Sequence, residues 1–518
     1  MVCCLLLLAA FGALAPGQAA DASSRNAPAP VLDPAGFAPY IARFNAMEPE
    51  GVVNEIPNAR AWEWLRANIP FFACPDRDVE EMYYFRWWAL RKHLRRVPDG
   101  RFVFTEFITR PRPISSALGH HLMEGRWLHD QRYDDDYVLY WLRGGPAGGL
   151  QPDLHRYSSW LAYALYQRYL VTGDAKSLTS LLDDLVRDYE QWEREKRLPR
   201  GLFWQYDVRD AMEESISGSR TKKNVRPTIN SYMFGNAEAI AAIARLAGRT
   251  EVAAEYARKA ADLRKLTQAA LWNPPAKFFE VREEDEAFAN AREEIGFIPW
   301  YFELPEPNRG YEAAWAQLTD PAGFSAPYGI TTAERRHSQF RSHGVGSCEW
   351  DGAVWPFATS QTLVALANVL RDYPSQPYVS AQDYFHAFLT YVRSQHYDGT
   401  PYIGEYLDEK TGQWLKGRNP RSWYYNHSTF ADLLITGVVG LRPRADDIVE
   451  VHPLLPAGTW DWFGLDRVQY HGHTLTILWD CDGTHYRRGA GLTVLAEGKV
   501  IAHSDQLAPV RGKLPSSS

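Results

Sequence analysis

Apolar residues recur at three- and four-residue spacing through most of the chain, the period of a helix with one face against a core. The pattern predicts helices over residues 79–95, 157–172, 178–196, 231–247, 252–271, 359–371 and 381–394. They come in pairs, separated by long polar and aromatic stretches such as 203–227 and 297–347. Connections of that length in a compact domain usually carry function. The expectation is a mainly α fold, an α/α toroid whose inner helices bury both faces and whose loops form a funnel at one end. From about Asp446 the period changes to two: DIVEVHPLLP, DRVQYHGHTLTILWD and AGLTVLAEGKVIAHSD alternate apolar and polar steps between glycine turns. That alternation predicts a small C-terminal antiparallel β domain. The chain divides into a leader (1–20), an N-terminal linker (21–55), the helical barrel (56–442) and the β domain (443–518).

Composition narrows the function classes. A chain of 518 residues can bury one large core with a smaller domain beside it. The formal net charge is -7 and no basic run stands out, which excludes nucleic acid as a partner. The apolar leader ends in small residues, reads as a secretory signal cut after Ala19 or Ala20, and is too short to span a membrane. A secreted or periplasmic protein with no membrane attachment after cleavage is therefore expected. The leader lacks the usual positive residue. Cys74, Cys348 and Cys481 then remain, an odd number without metal-type spacing, so no disulfide framework is expected. Tyr470-His471-Gly472-His473 reads as hydrogen-bonding strand histidines, since no further ligands cluster nearby. No calcium-loop spacing is present either, so neither a metal nor a cofactor is expected, and nothing in the sequence sets an oligomeric state.

Three loops hold the candidate chemistry. The first, FWQYDVRDAMEESISGSRTKKNVRP, gathers Asp207, Asp210, Glu213 and Glu214 after Trp204. On a helix Asp207, Asp210 and Glu214 would share a face, and clustered carboxylates raise one another's pKa, as a general acid requires. The second is Glu349-Trp350-Asp351-Gly352-Ala353-Val354-Trp355-Pro356, an aromatic lip ahead of an apolar run, with Arg341 and His343 upstream. Flat aromatic faces stack on the C–H faces of sugar rings while carboxylates take the hydroxyls. The third, YDGTPYIGEYLDEKTGQWLKGRNPRSWYYNHSTF, sets Glu405 between Gly404 and Tyr406 and returns through Trp414 to Asn426 and His427. Small residues beside a lone glutamate let a water and a sugar ring approach it, as an inverting base needs. Asn426 and His427 suit either hydroxyl binding or capping of a helix beginning near Ser428.

In this order the loops resemble those of the inverting six-hairpin glycosidases, the clan of trehalase, processing α-glucosidase I and the mannosylglycerate-hydrolase-like enzymes. The resemblance covers roughly residues 203–441. The clan's Glu-Ser-Gly-x-Asp-type acid loop is similar to Ala211-Met212-Glu213-Glu214-Ser215, its Trp-x-Gly-Pro-x-Trp lip to residues 350–355, and its Gly-Glu-Tyr base loop to Gly404-Glu405-Tyr406. Tyr328-Gly329-Ile330-Thr331-Thr332 resembles the Tyr-Gly-x-x-Thr stretch upstream of that lip. The resemblance implies an (α/α)6 barrel and a glycoside hydrolase acting with inversion on a carbohydrate. The clan's acid is normally Asp; here the aligned residue is Glu213, with Asp210 as its rival one turn away.

The expected roles are then Glu213 or Asp210 as acid, Glu405 as base, Trp204, Trp350, Trp355 and Trp414 as stacking surfaces, and Asp207, Arg341, Asp351, Asn426 and His427 as sugar-binding groups. Two other readings use the same barrel. A polysaccharide lyase or sugar epimerase would abstract a C–H proton with His427, His343, Tyr402 or Arg341. A non-catalytic glycan-binding protein would keep the tryptophans and dispense with the acid pair.

Overall fold

The computed structural model describes residues 30–342, 348–417 and 419–516. Six helices close an inner ring: Leu118–Gly125, Leu161–Thr172, Pro227–Leu246, Ile298–Tyr301, Pro356–Asp372, and Ala431–Leu433, which continues as a π-helical stretch Leu434–Val439. Each packs on the next and the sixth returns to the first. Around them lie Arg77–Lys92, Arg132–Arg143, Leu182–Lys196, Thr250–Leu271 and Ala381–Ser394. The sixth outer place is taken by the 3-10 segment Tyr311–Gln317, whose Trp315 packs on Phe297 and Trp300. This is the expected (α/α)6 toroid.

Patterning explains which helices are inner and which are outer. Thr250–Leu271 buries Ala253, Tyr256, Ala260, Leu263, Thr267 and Leu271, a single stripe at helical period. In Pro227–Leu246 every residue from Pro227 to Ala237 is buried, so that helix has no solvent face over its first three turns. Leu118–Gly125 is buried along its whole length, histidines included. A stripe search passes over such a segment because eight residues give only about two turns of pattern. The helix expected over 79–95 stops at Lys92, and Leu94–Arg96 instead pairs as a strand with Phe102–Phe104. The helix expected over 178–196 is broken into Ala175–Thr179 and Leu182–Lys196. The stretch 21–55, read as linker, contains the helix Ala38–Ala46, which buries Ile41 and Phe44 against Arg77–Lys92.

The C-terminal strands form a five-stranded antiparallel sheet in the order Phe71–Ala73, Trp462–Tyr470, His473–Asp480, Gly491–Ala496, Lys499–Ser504. Its first strand comes from the other end of the chain, with Phe71 opposite Asp466 and Ala73 opposite Gly464. A second sheet joins Leu441–Arg442, Ile448–Val451 and Val510–Lys513. His471 sits in the hairpin turn between two strands, where its Nε2 meets the carbonyl of Leu170 on an inner helix at 3.0 Å. Among the described residues no helix is long and apolar enough to cross a membrane.

Candidate active site

The acidic loop is not a helix. It is the single 3-10 turn Asp207–Arg209, followed by left-handed backbone at Ala211 (φ 61°) and Glu214 (φ 65°). Those two reversals send the carboxylates in different directions, so the shared face expected for Asp207, Asp210 and Glu214 does not exist. Asp210 is fully enclosed: it takes the Arg226 guanidinium at 2.6 Å, the Ser158 hydroxyl at 2.6 Å and the Thr228 hydroxyl. Asp207 accepts from the backbone N–H of Val208 at 2.7 Å, and its carbonyl accepts from Asp210 and Met212. Both acids shape the loop and neither lines the pocket that it borders. Glu213 does line it.

That pocket is a cleft between the loops. Its wall brings together Glu213 from the first loop, Trp350 and Trp355 from the second, and Glu405 and His427 from the third, with Glu106 as a third carboxyl group. The loops are tied to one another by backbone: Trp350 N–H donates to the Glu213 carbonyl at 3.4 Å, and Val354 and Leu407 exchange hydrogen bonds. Trp350 stacks on Trp355 at 4.4 Å between ring centres, and Trp355 stacks on Tyr406 at 4.6 Å, so the lip continues under the Glu405 loop as one aromatic layer. His427 closes the floor, edge-on to Phe357 and Tyr425. Burial, with the nearby His120 and Arg86, pushes its imidazole well below the usual range. These surroundings favour the neutral ring. His427 Nε2 and Trp350 Nε1 are buried and have no hydrogen-bond partner among the described residues, so a ligand hydroxyl or a water can supply one.

The two carboxylates of interest have opposite surroundings. Glu213 is raised above its ordinary range, first by burial and then by the charges of Glu405 and Asp207, with Lys416 opposing. Glu405 carries its own cation, with Lys416 Nζ 3.0 Å from Oε2 and the Ser422 hydroxyl 3.3 Å away. Lys416 Nζ also donates to Cys348 Sγ at 3.1 Å. Glu106 accepts from the Ser116 hydroxyl at 2.6 Å and from the Tyr425 hydroxyl. Burial pushes its carboxyl up to about 7, with Glu405 and Glu213 adding to the rise. Sequence reasoning passed over Glu106, and the available signal was a lone acid within the apolar run FVFTEFI.

The remaining expected residues support the site from outside. Arg341 is a hub with left-handed backbone (φ 49°), reaching Glu349 at 2.6 Å, Asp408 at 2.9 Å and Glu409 at 2.5 Å. It binds the lip to the turn beyond Glu405 and does not face the pocket. Asp351 is buried beside it, its carbonyl taking the Arg341 N–H. Trp414 lies beneath Gly404 and donates its indole N–H to the His396 carbonyl at 2.9 Å. Asn426 grips the segment carrying Glu106, through its side chain to the Thr105 carbonyl and its N–H to the Glu106 carbonyl. Neither Asn426 nor His427 caps the following helix: its N-terminal N–H groups, those of Phe430, Ala431 and Asp432, are taken by Glu124. Trp204 sits apart, under Lys196 at 4.0 Å and Lys223 at 5.2 Å. Tyr402 donates its hydroxyl to the carbonyls of Gly417 and Ser422. His343 lies outside the described residues.

Comparison with known proteins adds the following. The model of the mannosylglycerate hydrolase MGH1-like glycoside hydrolase domain matches residues 110–428, and that of the glycosyl hydrolase family 65 C-terminal domain matches residues 441–503. A solved structure titled "Sialidase" is 52% identical over 93% of this chain, with a TM-score of 0.91, and the chain spans only 45% of that longer protein. The GH63 mannosylglycerate hydrolase from Thermus thermophilus, in complex with Tris, is 15% identical over 68% of this chain and 98% of its own, with a TM-score of 0.52. The GH78 family rhamnosidase of Bacillus sp. GL1 is 13% identical over 82% of this chain and 41% of its own, with a TM-score of 0.58. The last two share the fold.

Proposed function

We propose, for a chain that belongs to the mannosylglycerate hydrolase MGH1-like glycoside hydrolase domain family, that it hydrolyses a terminal glycosidic bond of a glycan with inversion, using Glu213 as acid and Glu405 as base. The observation that carries this reading is the pair itself: two carboxyl groups on one tryptophan-walled pocket, one in surroundings that favour the protonated form and the other beside a lysine. In the first half of the step, the Glu213 carboxylic acid gives its proton to the bridging oxygen as the bond from that oxygen to the anomeric carbon breaks. In the second, a water held by Glu405 attacks the opposite face of the oxocarbenium-like ring and loses a proton to the Glu405 carboxylate. An inverting pair needs carboxyl groups about 6.5–9.5 Å apart to make room for that water.

Other groups serve the ring. Trp350 and Trp355 offer stacked faces, Glu106 and His427 Nε2 take hydroxyls, and a pocket with His427 at its floor suits a chain end better than the middle of a polymer. Against the lyase and epimerase reading, burial weakens His427 as a base, and Tyr402 and Arg341 are engaged away from the pocket; His343 lies outside the described residues. Export follows from the leader, and mass spectrometry of protein recovered outside the cytoplasm should find Ala20 or Asp21 at the N-terminus.

The test is product stereochemistry. With an aryl glycoside or oligosaccharide panel, proton NMR of the first-formed anomer should show the opposite configuration to the substrate. Net retention, or an unsaturated uronide, overturns the proposal.

A further inference from the structure

The catalytic pocket does not end at its rim. Arg110, Ile114 and Tyr157 are shared with a neighbouring depression, which in turn shares Asp153 and Arg156 with a third, open one. Through these shared side chains the three adjoin in series, as a trough leading away from the carboxylates. The two outer sections are lined by the cations Arg110, Arg112, Arg156, Lys196, Arg209 and His155, against two acids, Asp153 and Glu195. His155 is charged but offset: contacts of 2.8 Å to Asp188 and 3.0 Å to Glu195 outweigh its burial, raise the imidazole to about 9 and cancel its charge, so the arginines and Lys196 carry the excess. This excess of positive charge stands out on a chain whose net charge is -7.

The arginines nearest the pocket are held but not neutralised. Arg110 and Arg421 both lie over the ring of Phe107, at 4.6 and 4.4 Å, and Phe107 lines the catalytic pocket. Among the described residues, Arg110, Arg112, Arg209 and Arg421 make no ion pair, and Arg156 has only Asp153 at 3.9 Å. Guanidinium groups fixed on an aromatic face, with their donors free, bind planar oxyanions at little entropic cost. Solvated surface arginines ordinarily alternate with acids, whereas these line one depression that opens into the active site.

We propose that the trough is a leaving-group subsite for an anionic glycan, one whose sugar units beyond the cleaved bond bear carboxylates or sulfate esters at intervals along the chain. The inference rests on the hydrolase reading for its direction, since the bond is cut at the trough's closed end and the charged remainder lies along the arginines. Hydrogen bonds and charge then supply affinity and register, while the tryptophan-walled pocket that holds Glu213 and Glu405 takes the terminal ring.

The test separates binding from turnover. Glu405→Gln protein is titrated calorimetrically with a size-defined oligouronide, its carboxyl-reduced neutral counterpart, and a sulfated neutral oligosaccharide of equal length, at low and high salt. The oligouronide or the sulfated oligomer is expected to bind about tenfold or more tighter than the neutral one, with the advantage shrinking at high salt, and the tighter of the two identifies the anion. Adding R112Q and R156Q, both exposed side chains, should remove most of that advantage without lowering the unfolding temperature. Equal binding of charged and neutral oligomers, or unchanged binding in the doubly substituted protein, overturns the subsite. Turnover that survives Glu405→Gln would instead overturn the hydrolase reading and leave the binding result standing.

Discussion

At the scale of single residues, the pocket gives similar carboxyl groups different neighbours, and the proposed mechanism rests on that difference. Glu213 and Glu405 share one pocket, yet a lysine reaches Glu405 at 3.0 Å while Glu213 meets burial and negative charge. Glu405→Gln should keep the fold and lower kcat by about a thousandfold or more, because the attacking water loses its base; near-normal turnover in a stopped assay would remove Glu405 from the mechanism. Lys416 is one of the groups holding Glu213 down. Replacing it with Met should therefore move the alkaline limb of the kcat profile, which reports loss of the Glu213 proton, to higher pH, and a downward move would contradict the assignment. Asp134 offers a test of stability. It is buried with neither oxygen hydrogen-bonded, and its carboxyl is pushed from 3.8 up to about 7 by burial, with Arg168 partly opposing. A folded-state pKa above the unfolded one contributes stability that is fully present below about 3.8 and is lost as pH rises through about 7. Asp134→Asn should leave stability at pH 4 nearly unchanged and raise it at pH 8 by on the order of 2 kcal/mol, as read by thermal unfolding across that range.

At the scale of elements, the loops are precise because the helices under them are pinned. Glu124, on the first inner helix, takes the N-terminal N–H groups of the sixth and so locks two members of the ring together beneath His427. Glu124→Ala leaves those donors buried and unmet, and should cost about 2–4 kcal/mol in a urea melt. The Glu405 loop rests on close packing instead. A Cβ on Gly404 would lie 2.6 Å from Trp414 Cε3 and 3.0 Å from Tyr402 Cε1. Gly404→Ala should shift Glu405 and reduce kcat by about tenfold to a hundredfold with a much smaller loss of stability. Helices with a wet and a dry side were readable: Ala381–Ser394 runs over the residues its apolar stripe predicts, complete with the Ser380–Asp383 capping box. Leu118–Gly125 was not, since two turns are too short for a period to stand out. The acid loop misled for a different reason. Acids at three- and four-residue spacing suggest a helix face, but left-handed Ala211 and Glu214 break it, and only the tertiary partners of Asp210 show that it is spent on Arg226.

At the scale of the molecule, the β region is not a separable appendage. Its sheet takes an edge strand from Phe71–Ala73, Asp466 accepts from the N–H groups of Val31 and Leu32 at 2.6 and 3.0 Å, and His471 reaches the inner helix at Leu170. A chain ended after Arg442 would strand Phe71 and Phe72, both wholly buried, without their partner strand. Such a truncation should be insoluble or fail to give a cooperative melt; a soluble, two-state barrel would show that the sheet is dispensable. The same scale governs electrostatics, since the trough gathers cations from segments that are basic nowhere in particular along the sequence.

The sequence by itself determined the architecture and the identity of the three loops. Helical and strand periods are local, and so are the tryptophan lip and the Gly-Glu-Tyr turn, each written within a few consecutive residues. The tertiary structure alone decided which acids meet. Asp207 and Asp210 were drawn into scaffolding, Glu106 arrived from a stretch with no motif, and Lys416 came to rest on Glu405. The reason is physical: the charge state of a buried carboxyl group depends on desolvation and on neighbours a few ångströms away, and these are set by packing between segments hundreds of residues apart.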